Sequence, residues 1–161
     1  MSDGTAEGRP PAGRGSVGRI DFYVLKRADS RARNIFACRL TEKAYMKDLK
    51  VLVLADDDAQ ARDFDALLWT YSDDSFVPHQ IVSAALPPDP ATPVYIATNP
   101  SIGPAVDLVL HLGNHRPDSL TGFPRVVEII DNDDDRKRQG RERFKFYRER
   151  QLTLETHQID E

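Results

Sequence analysis

The chain has 161 residues, a single cysteine and a formal net charge of −4, and its length is that of one ordinary domain. One cysteine excludes an internal disulfide, and the negative charge argues against a protein that binds nucleic acid over its whole surface, because such domains are usually basic. No apolar run approaches the ~20 residues that a membrane span needs, and the start lacks a secretory signal, so we expect a cytoplasmic protein with no membrane contact.

The first half of the chain predicts alternating strands and helices after a polar start. Residues 1–19 are rich in Gly, Ser, Pro and Arg, so we expect a disordered tail there and one domain over residues 20–161. Residues 20–25 are aromatic and β-branched and predict a strand, which is followed by apolar residues at helical spacing over 32–46. The apolar run 50–54 is typical of a buried parallel strand.

The same alternation continues to the end of the chain. The acidic residues 56–58 offer N-cap candidates for a helix over about 59–71. Five prolines between 78 and 93 argue against a helix there, and we expect a surface connection over 86–92. Further strands are predicted at 94–97, 107–112 and 125–130, before a last helix that begins near Asp134. This order predicts an α/β fold: a single three-layer Rossmann-like domain with a mainly parallel sheet and helices on both faces.

Two motifs resemble known ligand loops but lie in the wrong context. The glycines of residues 13–18 fit G-x-G-x-x-G, yet they precede the first strand, whereas a dinucleotide site needs them between a strand and a helix. Residues 131–135 with Glu142 match the carboxylates of a calcium loop, but the position that requires glycine is Arg136. We interpret the acidic run as the start of a helix, whose dipole favours negative charge.

The histidines do not predict a metal site. His111 lies at the end of a predicted strand, so its spacing to His115 is not that of two ligands on one helix, and His79 and His157 are far in sequence from plausible co-ligands. No Ser, His and Asp grouping carries the turn signature of a hydrolase nucleophile. We therefore expect no catalytic residues, no metal and no cofactor.

The last predicted helix carries the first candidate site. Residues 136–150 hold eight basic side chains against two acidic ones. One helical face combines cations with an aromatic ring, a combination that suits an acidic peptide with an apolar end. Two alternatives remain: a solvated basic face over a ring that faces the core, and a surface for single-stranded nucleic acid. The residues of this face are Lys137, Arg141, Phe144, Lys145 and Arg148.

The aromatic segment 67–79 carries the second candidate site. It places Trp69 at a helix end and Phe76 in the loop that follows. Large rings of this kind are interface anchors when they are exposed and core residues when they are buried, and the buried case is commoner. The residues alone leave this alternative open.

Together these segments resemble the chi subunit of bacterial DNA polymerase III. The resemblance covers most of the chain from Ile20 onward and is carried by five segments in the same order and spacing. They are Asp21-Phe22-Tyr23, Ala37-Cys38-Arg39-Leu40, residues 67–79 with Ser75-Phe76-Val77-Pro78-His79, residues 125–130, and Arg141-Glu142-Arg143-Phe144-Lys145-Phe146-Tyr147-Arg148.

The resemblance implies a non-catalytic accessory subunit of the clamp-loader complex that acts in DNA replication and contacts DNA only indirectly. It implies that the acidic, hydrophobic-ended C-terminal tail of single-stranded-DNA-binding protein binds at Ile130, Lys137, Arg141, Phe144 and Arg148. It also implies that a segment of the psi subunit, or of a helicase-type partner, docks at Trp69 and Phe76. The rival hypotheses are direct binding of single-stranded nucleic acid by the last helix and a nucleotide-using enzyme.

Three features depart from the family pattern. Gln151 stands where the family often has glycine after the last helix, which makes a different turn possible there. The acidic run 131–135 would either weaken the binding of an acidic tail or be directed away from it by the helix. The extension over residues 1–19 has no counterpart in the family pattern.

Overall fold

The computed structural model describes residues 18–102 and 104–160. Within these residues the elements are, in chain order, β1 (Arg19–Leu25), α1 (Ser30–Met46), β2 (Val51–Leu54), α2 (Asp58–Thr70), β3 (His79–Ile81), β4 (Val94–Ala97), β5 (Leu108–His111), a 3-10 turn (Pro117–Ser119), β6 (Arg125–Ile130), α3 (Asp134–Glu149) and β7 (Leu154–Ile159). The predicted tail lies outside the described residues except for Gly18 and Arg19. Arg19 is the first residue of β1, so the strand begins one residue before the predicted boundary.

The strands form one sheet in the order β3-β4-β2-β5-β6-β1-β7, and every pairing is parallel. The prediction of an α/β fold with a mainly parallel sheet is therefore confirmed. The two outermost strands, β3 and β7, were not predicted. Both are half-exposed and polar, with the sequences His-Gln-Ile and Leu-Glu-Thr-His-Gln-Ile, so they lack the apolar run that marks the inner strands.

Helices cover both faces of the sheet, as predicted. On one face α1 and α2 pack against the strands through residues such as Phe36, Phe64 and Val53. On the other face α3 packs through Tyr147 against Phe22 and other residues of a second apolar cluster. Burial of each large apolar side chain stabilises the fold by ~1.5–3 kcal/mol, so these two clusters hold the three layers together.

Each α-helix begins with an aspartate that satisfies a free backbone N–H. The side chains of Asp29, Asp57 and Asp133 accept hydrogen bonds from the first turns of α1, α2 and α3. The acidic run 131–135 thus starts a helix, as interpreted from the sequence. None of the helices in the described residues is both long and apolar enough for a membrane span.

Candidate functional site

Helix α3 and the sheet enclose a hollow of about 240 Å³ on the face that α3 covers. Its lining residues come from β1, β6, β7 and α3. They are Phe22, Val24, Ile130, Lys137, Gly140, Arg141, Phe144 and Thr156. Four of the five residues expected to bind the acidic tail therefore meet at one place: Ile130, Lys137, Arg141 and Phe144.

The hollow is shaped by close packing of α3 on the sheet. The Phe144 ring meets the Phe22 ring edge-on, with the ring centroids 5.2 Å apart. At Gly140 a Cβ atom would lie 2.7 Å from Cδ1 of Ile130, so a larger residue would push the Ile130 side chain out of its place. Absence of a side chain at Gly140 therefore keeps the apolar floor at Ile130 open beneath the helix.

Cations stand along the rim of this hollow. Lys137 and Arg141 are one helical turn apart and line it, whereas Arg148 does not line it but lies over the Phe144 ring, 5.9 Å from its centroid. In the part of the chain that the structure describes, the ion pairs of α3 involve its other arginines, at positions 136, 138 and 143. Lys137, Arg141 and Arg148 therefore keep their charge available for an anion.

The acidic run is turned away from the hollow. Asp131 is fully buried and receives two hydrogen bonds from the Arg136 guanidinium, at 2.7 and 2.8 Å. Burial acts to raise the pKa of Asp131, but the Arg136 hydrogen bonds and charge hold it below its usual value. Asp133 caps α3, and Asp135 pairs with Arg138. The described lining of the hollow contains no carboxylate, so the acidic run leaves the hollow cationic.

A buried charged network fixes α3 on the sheet. The Glu128 carboxylate accepts hydrogen bonds from His111 Nδ1 at 2.9 Å, Arg143 Nε at 3.1 Å and the Tyr147 hydroxyl at 3.0 Å. Burial alone would raise the pKa of Glu128, but the charge of Arg143 and the hydrogen bonds from His111 and Tyr147 lower it to about 2. Glu128 is therefore ionised and ties β5 and α3 to β6, next to the hollow.

The two histidines at the end of β5 are held by this network. Nε2 of His111 accepts a hydrogen bond from the His115 backbone N–H at 3.0 Å, so Nδ1 carries the proton that is donated to Glu128. Burial lowers the pKa of His111, and the ring is neutral because Nε2 accepts a hydrogen bond and so carries no proton. Both ring nitrogens of His111 are thus already engaged, and neither is free to bind a metal.

A carboxylate lies at the switch point where this architecture usually holds a nucleotide. The chain leaves β2 towards the face of α2, whereas the loop after β5 places Leu120 and Phe123 on the opposite face, and such a switch point is the usual ligand site of an open α/β sheet. Here Asp56 accepts the Asn114 backbone N–H at 2.6 Å. A Cβ atom on Gly113 would lie 2.3 Å from the same carboxylate. This half-exposed negative group would repel a phosphate at the switch point.

The structure corrects one expectation about the histidines. His157 was expected to be isolated from co-ligands, but it lies on β7, and one ligand atom each from Asp21, Glu155 and His157 fall within 4.8 Å of one another. The reason is that β7, which was not predicted, pairs with β1. The Asp21 carboxylate already accepts hydrogen bonds from Arg19, Arg125 and His157, and two guanidinium groups beside it oppose the binding of a metal ion.

Trp69 and Phe76 lie together on the surface, beside the edge strand β3. Their side chains are 45% and 66% exposed, and their ring centroids are 5.5 Å apart. The His79 ring lies against Trp69 at 4.1 Å, and its nitrogens contact the carbonyl oxygens of Val77 and Asp65. We call Trp69, Phe76 and His79 the aromatic platform. The exposure favours the interface alternative over the core alternative that the sequence left open.

Sequence reasoning missed half of the residues that form the hollow. Phe22, Val24 and Thr156 enter it only because β1 lies between β6 and β7, an order that no local pattern predicts. Gly140 did carry a signal, because an isolated glycine inside a helical pattern costs ~1 kcal/mol and usually has a packing reason.

Comparison with known proteins identifies relatives over most of the chain. A family model described as DNA polymerase III chi subunit, HolC, matches residues 17–155. The DNA polymerase III subunit chi of Pseudomonas aeruginosa is 33% identical over 141 residues, which cover 88% of this chain and 96% of the relative. The subunit chi of Escherichia coli is 30% identical over 120 residues, which cover 74% of this chain and 80% of the relative.

Solved structures share the fold at low identity. T4 UvsW matches with a TM-score of 0.65 and 10% identity over 88% of this chain and 41% of that chain. A DEAD box protein from Methanococcus jannaschii matches with a TM-score of 0.59 and 14% identity over 86% of this chain and 42% of that chain. The chain spans about two fifths of the length of these structures. The likeness shows a Rossmann-like α/β fold and nothing about activity.

Proposed function

Because the chain belongs to the DNA polymerase III chi subunit family, we propose that it is a non-catalytic accessory subunit of the bacterial DNA polymerase III holoenzyme. In this role it links the clamp-loader complex to the acidic C-terminal tail of single-stranded-DNA-binding protein during DNA replication. The observation that carries the proposal is the hollow under α3, where an apolar floor and a cationic rim meet.

The chemistry of the hollow matches both properties of such a tail. Phe22, Val24 and Ile130 offer an apolar surface for a hydrophobic end residue, and its burial would drive binding. Lys137 and Arg141 stand at the same opening and can bind a terminal carboxylate with charge-assisted hydrogen bonds. Arg148 lies farther along the helix, where it can meet acidic residues upstream in the tail.

Titration of a labelled tail peptide against the full chain tests this site. Loss of one charged hydrogen bond costs ~1.5–3 kcal/mol, so Arg141→Ala should weaken binding roughly 10- to 150-fold. Arg138→Ala is the matched control, because Arg138 is on the same helix and carries the same charge but pairs with Asp135 and does not line the hollow. Equal affinity of the wild type and Arg141→Ala for the peptide would show that the tail does not bind in the hollow.

A second partner is proposed for the aromatic platform. Two large rings that are exposed side by side at the surface are favourable anchors for a protein interface, because aromatic residues contribute much of the binding energy at such sites. We assign this surface to a segment of the psi subunit or of a helicase-type partner. Its position beside the edge strand β3 leaves it clear of the hollow under α3.

Direct binding of single-stranded nucleic acid is the alternative function of α3. The packing of the aromatic rings on this helix favours it less than peptide binding. Base stacking needs an open ring face. Phe144 packs on Phe22 with Arg148 above it, and the guanidinium of Arg150 lies over Phe146, 3.7 Å from the ring centroid. Titration with an oligonucleotide in the absence of protein partners separates the two functions, because a peptide adaptor should bind it weakly at physiological salt.

A nucleotide-using enzyme is the other alternative. The Asp56 carboxylate at the switch point supports a subunit without nucleotide chemistry, because its negative charge would repel a phosphate there. A thermal-shift screen with nucleotides tests this point, because a ligand that binds the folded state raises its melting temperature. A shift with a nucleotide would contradict a subunit that binds none, and an assay for nucleotide hydrolysis would then test for catalysis.

A further inference from the structure

Strand β7 leaves a row of backbone groups without a partner at the edge of the sheet. Within residues 18–102 and 104–160 it pairs with β1 alone, in the register Ile20↔Leu154 to Leu25↔Ile159. The Ile20 N–H donates to the Thr153 carbonyl at 2.9 Å. Because the direction of backbone groups alternates along a strand, the N–H and C=O groups of Leu154, Thr156 and Gln158 point outward.

This free edge is continuous with the hollow under α3. Thr156 lines the hollow and is exposed, and it lies beside Phe22 in the register of the two strands. Gln158 is exposed as well and lies beside Val24, another residue of the floor. A chain that fills the hollow can therefore pass over β7 to the outer edge without crossing another element of the described fold.

The positions of the cations on α3 indicate in which direction the bound tail runs from its N-terminal to its C-terminal end. Lys137 and Arg141 stand near the carboxyl ends of β1 and β6, and Arg148 is near the end of α3, from which the chain turns back into β7. A tail whose terminal carboxylate lies at Arg141 and whose upstream acidic residues face Arg148 runs in the same direction as β7. This is the direction that continues an all-parallel sheet.

We propose that the acidic tail, upstream of the residues that fill the hollow, adds to the free edge of β7 as an eighth parallel strand. The inference rests on the proposed function of the hollow and specifies how the same partner is held. The outer edge lies about two strand spacings, ~10 Å, from the floor at β1, a distance that about three extended residues span. The last three residues of the tail thus fill the hollow, and the residues before them pair with β7.

Peptide length separates this inference from the proposed function. The full chain is titrated with peptides that hold the last four and the last ten residues of the cognate single-stranded-DNA-binding protein. Two or three additional main-chain hydrogen bonds should make the ten-residue peptide bind on the order of tenfold more tightly. Hydrogen exchange followed by NMR should show slower exchange of the Thr156 and Gln158 amides with the longer peptide alone.

Gln158→Pro is the variant that tests the edge, because proline is tolerated on an edge strand where the N–H faces outward. It should reduce the gain from peptide length to the part that Arg148 contributes and remove the added protection of the Thr156 amide, while the affinity of the four-residue peptide and the melting temperature stay those of the wild type. Gln158→Ala keeps the main-chain donor and is the matched control for loss of the side chain alone.

The possible outcomes distinguish strand addition at β7 from peptide binding in the hollow alone. Equal affinity of both peptides, with no protection of the β7 amides in the wild type, would overturn the strand addition and leave the hollow as the binding site. Absence of binding by either peptide would refute the proposed function and the inference with it. A concentration-dependent dimer that Gln158→Pro dissolves would assign the edge to a second copy of the chain and also overturn the inference.

Discussion

Replacement of Glu128 by Gln removes the carboxylate that joins β5, β6 and α3. Glu128 is fully buried and holds His111, Arg143 and Tyr147. The fall of its pKa from 4.5 to about 2 corresponds to roughly 3–4 kcal/mol, at ~1.4 kcal/mol for each pKa unit. Removal of one partner from a buried ion pair costs ~3–5 kcal/mol by itself, because the other charge stays behind. We therefore expect Glu128→Gln to lower the free energy of unfolding by about 3 kcal/mol.

Urea unfolding followed by circular dichroism measures this loss, and Glu142→Gln on the exposed side of α3 is the control for removal of one negative charge. The pKa of Glu128 is lowered by folding, so its contribution is fully present above pH 4.5 and is lost as the pH falls from 4.5 towards 2. The difference between the wild type and Glu128→Gln should shrink over that range. A loss below about 1 kcal/mol at pH 7 would show that the buried pair does not anchor α3.

The remaining predictions concern the end of α3, the hollow and the aromatic platform. Gln151 has a φ of 59°, which favours glycine, so Gln151→Gly should raise the free energy of unfolding by ~0.5–1 kcal/mol in the same urea assay, and a decrease would contradict the strain. Gly140→Ala should push Ile130 into the hollow and weaken binding of the tail peptide at least about tenfold. The free energy of unfolding should change little, because the gain in helix propensity and the cost of overpacking largely offset each other. Unchanged peptide affinity of Gly140→Ala would show that Ile130 does not form the floor of the site. Trp69→Ala and Phe76→Ala should each weaken the second partner by ~2 kcal/mol or more in a binding titration but leave tail binding unchanged, and loss of both activities would indicate unfolding.

Local patterns predicted the inner strands and all three helices to within one or two residues. Residues 94–97 and 125–130 were predicted with the bounds that the structure gives, because strands buried on both faces read as continuous apolar runs. The edge strands were not predicted because they lack such an apolar run. β3 has three residues, and β7 has no regular alternation of exposed and half-buried side chains, so its sequence resembles a loop as much as a strand.

The candidate hollow was predicted on its helical side only. Spacings of three and four residues place Lys137, Arg141, Phe144 and Arg148 on one face, whatever the helix packs against. Which strands lie beneath that face depends on the sheet order, in which β1 lies between β6 and β7. That order is set by contacts between residues more than 100 positions apart, as between Ile20 and Leu154. A local sequence pattern therefore cannot predict it.

The turn after α3 shows how a departure from the family pattern is absorbed. The backbone at Gln151 takes the left-handed conformation that a glycine would adopt, and its N–H donates to the Arg148 carbonyl at 2.9 Å. The turn that leads into β7 is therefore compatible with a side chain at this position. Packing of Leu152 in the second apolar cluster holds it in place.

The order of the seven strands sets the distance between the aromatic platform and the hollow under α3. The aromatic platform stands by β3, and the hollow lies over β1 and β7, so five to six strand spacings of ~4.8 Å, or roughly 25–30 Å, separate the two surfaces. A hydrogen-bonded parallel sheet does not stretch or bend easily over that length. Two partners held at these surfaces would be kept apart by the width of the sheet and would not compete for the same space.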